Sequence, residues 1–551
     1  LRLLLPLVAR VAVQPYLSVV PAQPSYRIMR LKQLRPLLQG ELVYPGRVSH
    51  LVNAPGAVRE RVETRAGVLS GVRAAHGRAF LGIPYAAPPV GALRWRAPQP
   101  ATAWKGERDA SRTGSPAVQT VGQGRFAPVT GSEDCLYLNL YAPPGDPPAA
   151  GWPVMVYLHG GAFALGASDN YDPSLLATEQ EVIVVAPNYR LGAFGFFAHP
   201  ALAEEEPDGG SGNFGLLDQQ AALRWVRDNI KSFGGDPDRV TLFGESAGAW
   251  SASYQMLSPG AAGLFHRVIL QSGSATDPLS IVAAEEAERD GVAFARNLGA
   301  EGPGALDRLR AVSAASVARA PAVRRGIMGP GSWGPVWGEA VIPVEPNRAF
   351  AKGRYNDMPV IVGTNSEEGR LFALGVTSHA VYEARVRFDW GADADAVLAH
   401  YPATTRAQAQ QVFADLLTDA RFAHPAERLR RRIADRTPVY AYRFDDAAAP
   451  FTIPHPWAPS PLRAYHAGEL AYIFGTRWVL ANPARFTPAQ AALARRMRDA
   501  WGEFARGETP TDWPRYTEAN PVLRVFAPEG DRTEMDFAER HRCEFWEARL
   551  G

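Results

Sequence analysis

Short apolar runs alternate with helical periodicities along most of this chain. Val154-Met-Val-Tyr-Leu158, Val240-Thr-Leu-Phe243 and Pro359-Val-Ile-Val-Gly-Thr364 are apolar or β-branched almost throughout. A run that is apolar on both alternating faces predicts a strand buried on both faces, as in a parallel sheet covered by helices. Between these runs the spacing changes to three and four. Leu223, Val226, Ile230 and Phe233 predict one face of a helix over residues 214–231, ending at Gly234-Gly235. Ala249–Leu257 predicts a second helix, stopped by Ser258-Pro259-Gly260. Residues 280–325 and 405–435 are rich in alanine and charged side chains and read as helices covering the sheet. Alternation that begins at Val62 predicts a small antiparallel hairpin near the start. The sum is an α/β architecture without internal repeats.

Residues 1–57 break this rhythm. They mix prolines with scattered arginines and are expected to form a peripheral or disordered N-terminal extension, with one domain over residues 58–551. Leu3–Ala9 resembles a clipped signal segment, but Arg10 interrupts it and no clean small-residue cleavage site follows. Composition narrows the rest. The 58 basic and 56 acidic side chains nearly cancel, which gives no electrostatic case for nucleic acid. No charge-free apolar run reaches about 20 residues, so stable membrane insertion is not expected. Either a cytoplasmic or a secreted location fits. Only Cys135 and Cys543 are present, and they demand no oxidising compartment. No P-loop, dinucleotide fingerprint or metal-ligand cluster is evident, so neither cofactor nor metal is expected.

The chemistry is concentrated at Gly244-Glu245-Ser246-Ala247-Gly248. The pentapeptide lies between a predicted strand and a predicted helix, the context in which G-x-S-x-G forms a sharp turn that projects its serine. Glycines permit the turn, and the helix start collects partial positive charge. A serine nucleophile needs a base, an acid that orients the base, and donors for the developing oxyanion. The run ending at Leu158 opens into His159-Gly160-Gly161-Ala162-Phe163, a small-residue loop whose N–H groups can approach a carbonyl. The N–H groups of Gly161, Ala162 and Ala247 are the candidate oxyanion donors. His159 precedes the serine and reads as loop scaffolding, because the order in this arrangement is Ser…Asp/Glu…His.

The acid and base follow downstream. The run at 359–364 leads into Asn365-Ser366-Glu367-Glu368-Gly369, which puts carboxylates past a strand's C-terminal end. Spacing does not choose between Glu367 and Glu368. Of His379, His400, His424, His455, His466 and His541, His466 is best placed, where a loop gives way to the apolar segment before Gly475.

Together these segments resemble the type-B carboxylesterases, the α/β-hydrolase family that includes carboxylesterases, cholinesterases and bacterial para-nitrobenzyl esterases. Further markers are Phe80-Leu-Gly-Ile-Pro-Tyr-Ala86, Ser132-Glu-Asp-Cys-Leu-Tyr-Leu-Asn139, Asn188-Tyr-Arg-Leu-Gly-Ala-Phe194, Gly212-Asn-Phe-Gly-Leu-Leu-Asp218, Phe233-Gly-Gly-Asp-Pro237 and Gln271-Ser-Gly273. The likeness runs from about Val62 to Trp546. It implies a large, mostly parallel mixed sheet flanked by helices. It also implies a Ser246–Glu368–His466 triad, Glu245 behind the nucleophile, and buried Arg94–Glu133 and Arg190–Asp218 ion pairs. The implied reaction is hydrolysis of a small-molecule carboxylic ester through an acyl-enzyme.

Departures from the family bear on substrate. Ala162 stands where many relatives have glycine. Gly334-Pro-Val-Trp-Gly-Glu339 replaces a more usual Pro-Val-x-Asp-Gly, and the tryptophans at 333 and 337 read either as a pocket wall or as core. Cholinesterases hold choline on a tryptophan ahead of Ser-Glu-Asp-Cys, whereas residues 114–132 contain none. Amide, carbamate and polyester substrates share the same triad. Non-catalytic adhesion homologues of this fold lack the serine, which this chain keeps.

Overall fold

A computed structural model describes residues 49–550 other than 121–126, 206–210, 324, 327–328, 453–461 and 479. The first 48 residues and His455 therefore lie outside the described residues.

A 14-stranded mixed sheet runs through the molecule. In chain order its main strands are β1 (Val58–Thr64), β2 (Gly67–Ala74), β3 (Gly77–Pro84), β4 (Tyr137–Ala142), β5 (Trp152–Leu158), β6 (Ile183–Pro187), β7 (Gly235–Glu245), β8 (Arg267–Gln271), β9 (Val360–Asn365), β10 (Val439–Phe444), β11 (Leu523–Phe526) and β12 (Arg532–Glu534). Their spatial order is β1-β2-β3-β4-β6-β5-β7-β8-β9-β10-β11-β12. The N-terminal strands are antiparallel through the β4–β6 pair. From β6 to β11 every neighbouring pair is parallel. The expected hairpin begins four residues earlier than its alternation suggested, at Val58.

The central strands are buried on both faces. Val154, Val156 and Leu158 point into one apolar cluster, and Met155 and Tyr157 into the other. Leu242 against Phe243, and Val360 and Val362 against Ile361, divide in the same way. This period of two explains why these stretches read as unbroken apolar runs. Helices α1 (Phe214–Asn229), α2 (Ala247–Leu257), α3 (Arg406–Thr418), α4 (His424–Ile433), α5 (Pro488–Arg506) and α6 (Cys543–Leu550) flank the sheet. Leu216, Leu223 and Val226 of α1 and Leu429 and Ile433 of α4 close the first cluster. Leu493, Met497, Trp501 and Phe504 of α5 close the second. A five-residue π-helical turn, Asp419–Ala423, joins α3 to α4.

Residues 49–57, just ahead of the expected domain, pack against it. Leu51 is buried in the second cluster, and the Ser49 hydroxyl donates to Asp172 at 3.0 Å. One apolar anchor and a side-chain contact thus dock residues 49–57 on the domain. Both family ion pairs are present. Arg94 grips Glu133 through two 2.6 Å bonds, and Arg190 grips Asp218 at 2.8 and 2.7 Å. Cys135 and Cys543 are buried free thiols.

The second ion pair gives a stability test. Asp218 is fully buried and Arg190 nearly so, and removing one partner leaves an uncompensated charge. Asp218→Ala should cost about 3–5 kcal/mol in urea unfolding. Arg59→Ala, which breaks a half-exposed pair with Asp109, should cost at most about 1 kcal/mol.

Candidate active site

Ser246 occupies a backbone conformation that side chains rarely adopt, φ 55° and ψ −125°, between the end of β7 and the start of α2. Such strain costs roughly 1–3 kcal/mol and persists only where the surroundings impose it. Here they do. A β-carbon on Gly248 would lie 1.8 Å from the Leu158 carbonyl oxygen, and one on Gly244 would lie 2.4 Å from the Gly248 carbonyl carbon. The glycines therefore let α2 begin directly against the end of β5. The Ser246 N–H donates to the Gln271 carbonyl at 2.9 Å, which ties the turn to β8. Every residue of α2 is buried, so the helix start has little freedom to move.

The loop after β5 abuts this turn. A β-carbon on Gly160 would sit 3.1 Å from the Ser246 β-carbon. Gly161, Ala162 and Phe163 all have positive φ, at 112°, 56° and 57°. Among the described residues, no backbone acceptor takes the N–H groups of Gly161, Ala162 or Ala247. His159 stacks on Tyr189 with ring centroids 4.4 Å apart, and its Nδ1 lies 2.8 Å from the Gly160 carbonyl. Burial lowers its pKa to about 4 and keeps the ring neutral, as suits scaffolding.

The two glutamates are separated by their partners. Glu368 is fully buried, with Oε2 2.6 Å from His466 Nδ1 and Oε1 accepting from the Asn365 N–H at 2.7 Å. Glu367 turns to Arg463 at 2.6 Å and Arg370 at 3.1 Å. His466 is buried under two phenylalanines, Phe372 and Phe422, with centroid separations of 5.0 and 4.9 Å. Phe422 reaches the ring from the π-helical turn, and the Thr418 hydroxyl just before that turn accepts from the Gly369 N–H. The remaining described histidines have other neighbours. His424 meets Glu547, His541 meets Asp419, His400 stacks on Phe545, and His379 is exposed beside Glu383.

Glu245 is closer to the chemistry than its expected place behind the nucleophile. Its Oε1 lies 3.1 Å from His466 Nε2, so the imidazole sits between two carboxylates. A third, Glu469, follows His466 by three residues and accepts from Asn365 Nδ2 at 2.6 Å and Gln271 Nε2 at 3.1 Å. The sequence reading passed over Glu469. Its signal was a carboxylate three residues after the histidine in an otherwise apolar segment.

The electrostatics follow from burial. Loss of water pushes Glu245 up to about 8 and Glu469 up to about 7, helped by neighbouring carboxylates. Burial disfavours charge on His466, but Glu245 and Glu368 outweigh it and raise the imidazole to about 9. Glu245 and His466 therefore titrate as a coupled pair, each held above its ordinary value. Among the described residues, no group of three or more histidine, cysteine or carboxylate side chains is arranged to hold a metal ion. No helix among them is long and apolar enough to cross a membrane. Trp333 packs edge-on against Phe294 at 4.9 Å and joins a core cluster rather than standing free.

Comparison with known proteins places this geometry. Residues 58–546 match the model of the carboxylesterase family. The chain is 37% identical over 503 residues to the fumonisin B1 esterase of Sphingopyxis macrogoltabida, covering 87% of this chain and 89% of the relative. It is also 37% identical over 477 residues to the para-nitrobenzyl esterase of Bacillus subtilis (strain 168), covering 83% and 92%. A solved PNB esterase structure superposes with a TM-score of 0.75 at 34% identity, over 90% of this chain and 100% of that one. With its α/β-hydrolase sheet and buried Glu–His pair beside a strained serine, the chain belongs to the carboxylesterase family and is a serine-dependent carboxylic-ester hydrolase.

Proposed function

We propose that Ser246, His466 and Glu368 are the nucleophile, base and orienting acid of this esterase, with Gly161, Ala162 and Ala247 as its oxyanion donors. The observation that carries the reading is the buried 2.6 Å contact of Glu368 on His466 Nδ1, which leaves Nε2 directed toward the Glu245-Ser246 turn. Ser246 Oγ attacks the ester carbonyl as its proton passes to His466 Nε2. The carbonyl electrons move onto the oxygen, which the three N–H groups stabilise. The intermediate collapses, the C–O bond to the alcohol breaks, and His466 returns the proton to the departing oxygen. Water then repeats the sequence on the acyl-enzyme, releasing the acid and restoring the serine. Oxyanion donors of this type are worth about 10²–10³ in rate each.

Glu245 tunes this cycle. The base must be neutral to accept the serine proton, so the productive form places the shared proton on Glu245 rather than on His466. Its carboxylate charge otherwise holds the imidazole protonated. The substrate class we infer is carboxylic esters of neutral alcohols. The absence of tryptophan from residues 114–132 removes the aromatic face on which a quaternary ammonium would rest.

Three measurements test the reading. A fluorophosphonate probe should label wild-type protein once, on the Ser246 peptide, and Ser246→Ala should abolish both labelling and hydrolysis of para-nitrophenyl butyrate. The same wild-type protein should cleave that neutral ester well and butyrylcholine poorly. Persistent labelling in the variant would remove Ser246 from its role.

Glu368→Gln should lower kcat by about 10⁴, because the charge facing the imidazolium is lost. Glu367→Gln should change kcat by only a few-fold, since Arg463 and Arg370 are its partners. The reverse order would reassign the acid.

Glu245→Gln removes one of the two charges that raise His466, so the histidine pKa falls. The acid limb of the kcat/KM profile should therefore move to lower pH. A shift to higher pH, or none, would contradict the coupling.

A further inference from the structure

Four residues of the loop after β5 have positive φ, and the two with β-carbons are costly unless something holds them. Gly161 and Gly166 have φ values of 112° and 110°, and two residues with β-carbons, Ala162 and Phe163, lie in the left-handed region. The loop closes on itself. The N–H groups of Ala164 and Leu165 both donate to the Gly161 carbonyl, at 3.0 and 2.9 Å. The closing end, Gly166, presses against the opening end. A β-carbon there would lie 2.5 Å from His159 Nδ1 and 2.6 Å from the Gly160 carbonyl oxygen. The position of Gly166 therefore limits where Gly160 and Gly161 can sit.

One side chain from outside the loop grips Gly166 at both of its backbone groups. Gln119 Oε1 accepts from the Gly166 N–H at 3.1 Å, and Gln119 Nε2 donates to the Gly166 carbonyl at 3.0 Å. The same amide nitrogen also donates to the Ala117 carbonyl at 3.1 Å, which fixes the side chain to its own stretch of backbone. A side-chain amide presents an acceptor and a donor side by side, which matches the N–H and carbonyl of Gly166. Gln119 lies 47 residues before Gly166 in sequence, so it braces the loop from a separate segment.

We infer that Gln119 is a positioning residue for the oxyanion loop: by clamping Gly166 it keeps Gly161 and Ala162 in the strained conformation that aims their N–H groups at the reacting carbonyl. The inference rests on the oxyanion assignment proposed above. Without the clamp, two partly buried backbone groups of Gly166 lose their partners, and Ala162 and Phe163 can relax out of the left-handed region. Donors displaced by even 1 Å forfeit much of their contribution, on the order of 10²-fold in rate. Ground-state ester binding depends little on these donors, so KM should change far less than kcat.

The test compares wild-type protein with Gln119→Ala and Gln119→Glu. The measurements are kcat and KM for para-nitrophenyl butyrate, the inhibition constant of a trifluoromethyl ketone that forms a tetrahedral adduct, and the pH profile. Gln119→Ala should lose about 10–100-fold in kcat with KM nearly unchanged. Affinity for the ketone should fall in parallel with kcat/KM. The acid limb of the profile should stay in place, because the His466 pair is untouched. Gln119→Glu keeps the acceptor for the Gly166 N–H but loses both donor bonds, so its loss should be intermediate. If Gln119→Ala fails to fold, Gln119→Glu decides the matter. Wild-type kcat and ketone affinity in the folded variants would overturn the inference, even if their thermal stability fell. A wild-type enzyme that hydrolyses the ester but does not bind the ketone would instead overturn the oxyanion assignment, and the role of Gln119 with it.

Discussion

The backbone of Ser246 is forced into a disfavoured conformation, and much of the fold can be understood as the apparatus that holds it there. A strand must end, a helix must begin, and no residue of ordinary conformation can lie between them. The turn survives because Gly244 and Gly248 leave no side chain between α2 and the end of β5, where even a methyl group would collide with the Leu158 carbonyl. It also survives because β8 accepts the serine N–H. Six parallel strand neighbours, buried on both faces, supply the rigidity that this strain requires. The same close approach brings the loop after β5 against the serine, so Ser246 and the candidate oxyanion donors are set by one packing contact.

Charge is handled by crowding. Glu245 and Glu469 lie with Glu368 around one histidine in a space that excludes water, and burial there disfavours charge on the first two. The crowding raises Glu245, Glu469 and His466 above their ordinary values. Asn365 and Gln271 supply the neutral donors that satisfy Glu469. Two phenylalanines cover the imidazole, and one of them stands on a π-helical turn, a distortion that recurs near functional sites.

Local pattern made much of this legible. The buried strands and the serine turn were readable because each is a contiguous stretch whose period or glycines report its own geometry. Glu367 and Glu368 could not be separated by spacing, since the choice is made by Arg463, nearly 100 residues away, and by Arg370. The direct contact of Glu245 with His466 was hidden for the same reason, because it depends on the end of β7 meeting a turn far away in the sequence. Gln119 carries no motif at all: its meaning lies in the backbone it meets at Gly166. Leu51, buried in the second cluster, is not set apart from the rest of the N-terminal segment by any pattern in the sequence.

The central claim is that one strained turn and one strained loop form a preorganised site around Ser246. A crystal structure of the protein inactivated by a para-nitrophenyl phosphonate tests it most directly. The account predicts phosphorus bonded to Ser246 Oγ, with the phosphonyl oxygen about 3 Å from the amide nitrogens of Gly161, Ala162 and Ala247. His466 Nε2 should be turned to Ser246 Oγ or the leaving-group position. A phosphonyl oxygen directed away from those amides, or an adduct formed only after the 159–166 loop had rearranged, would contradict it.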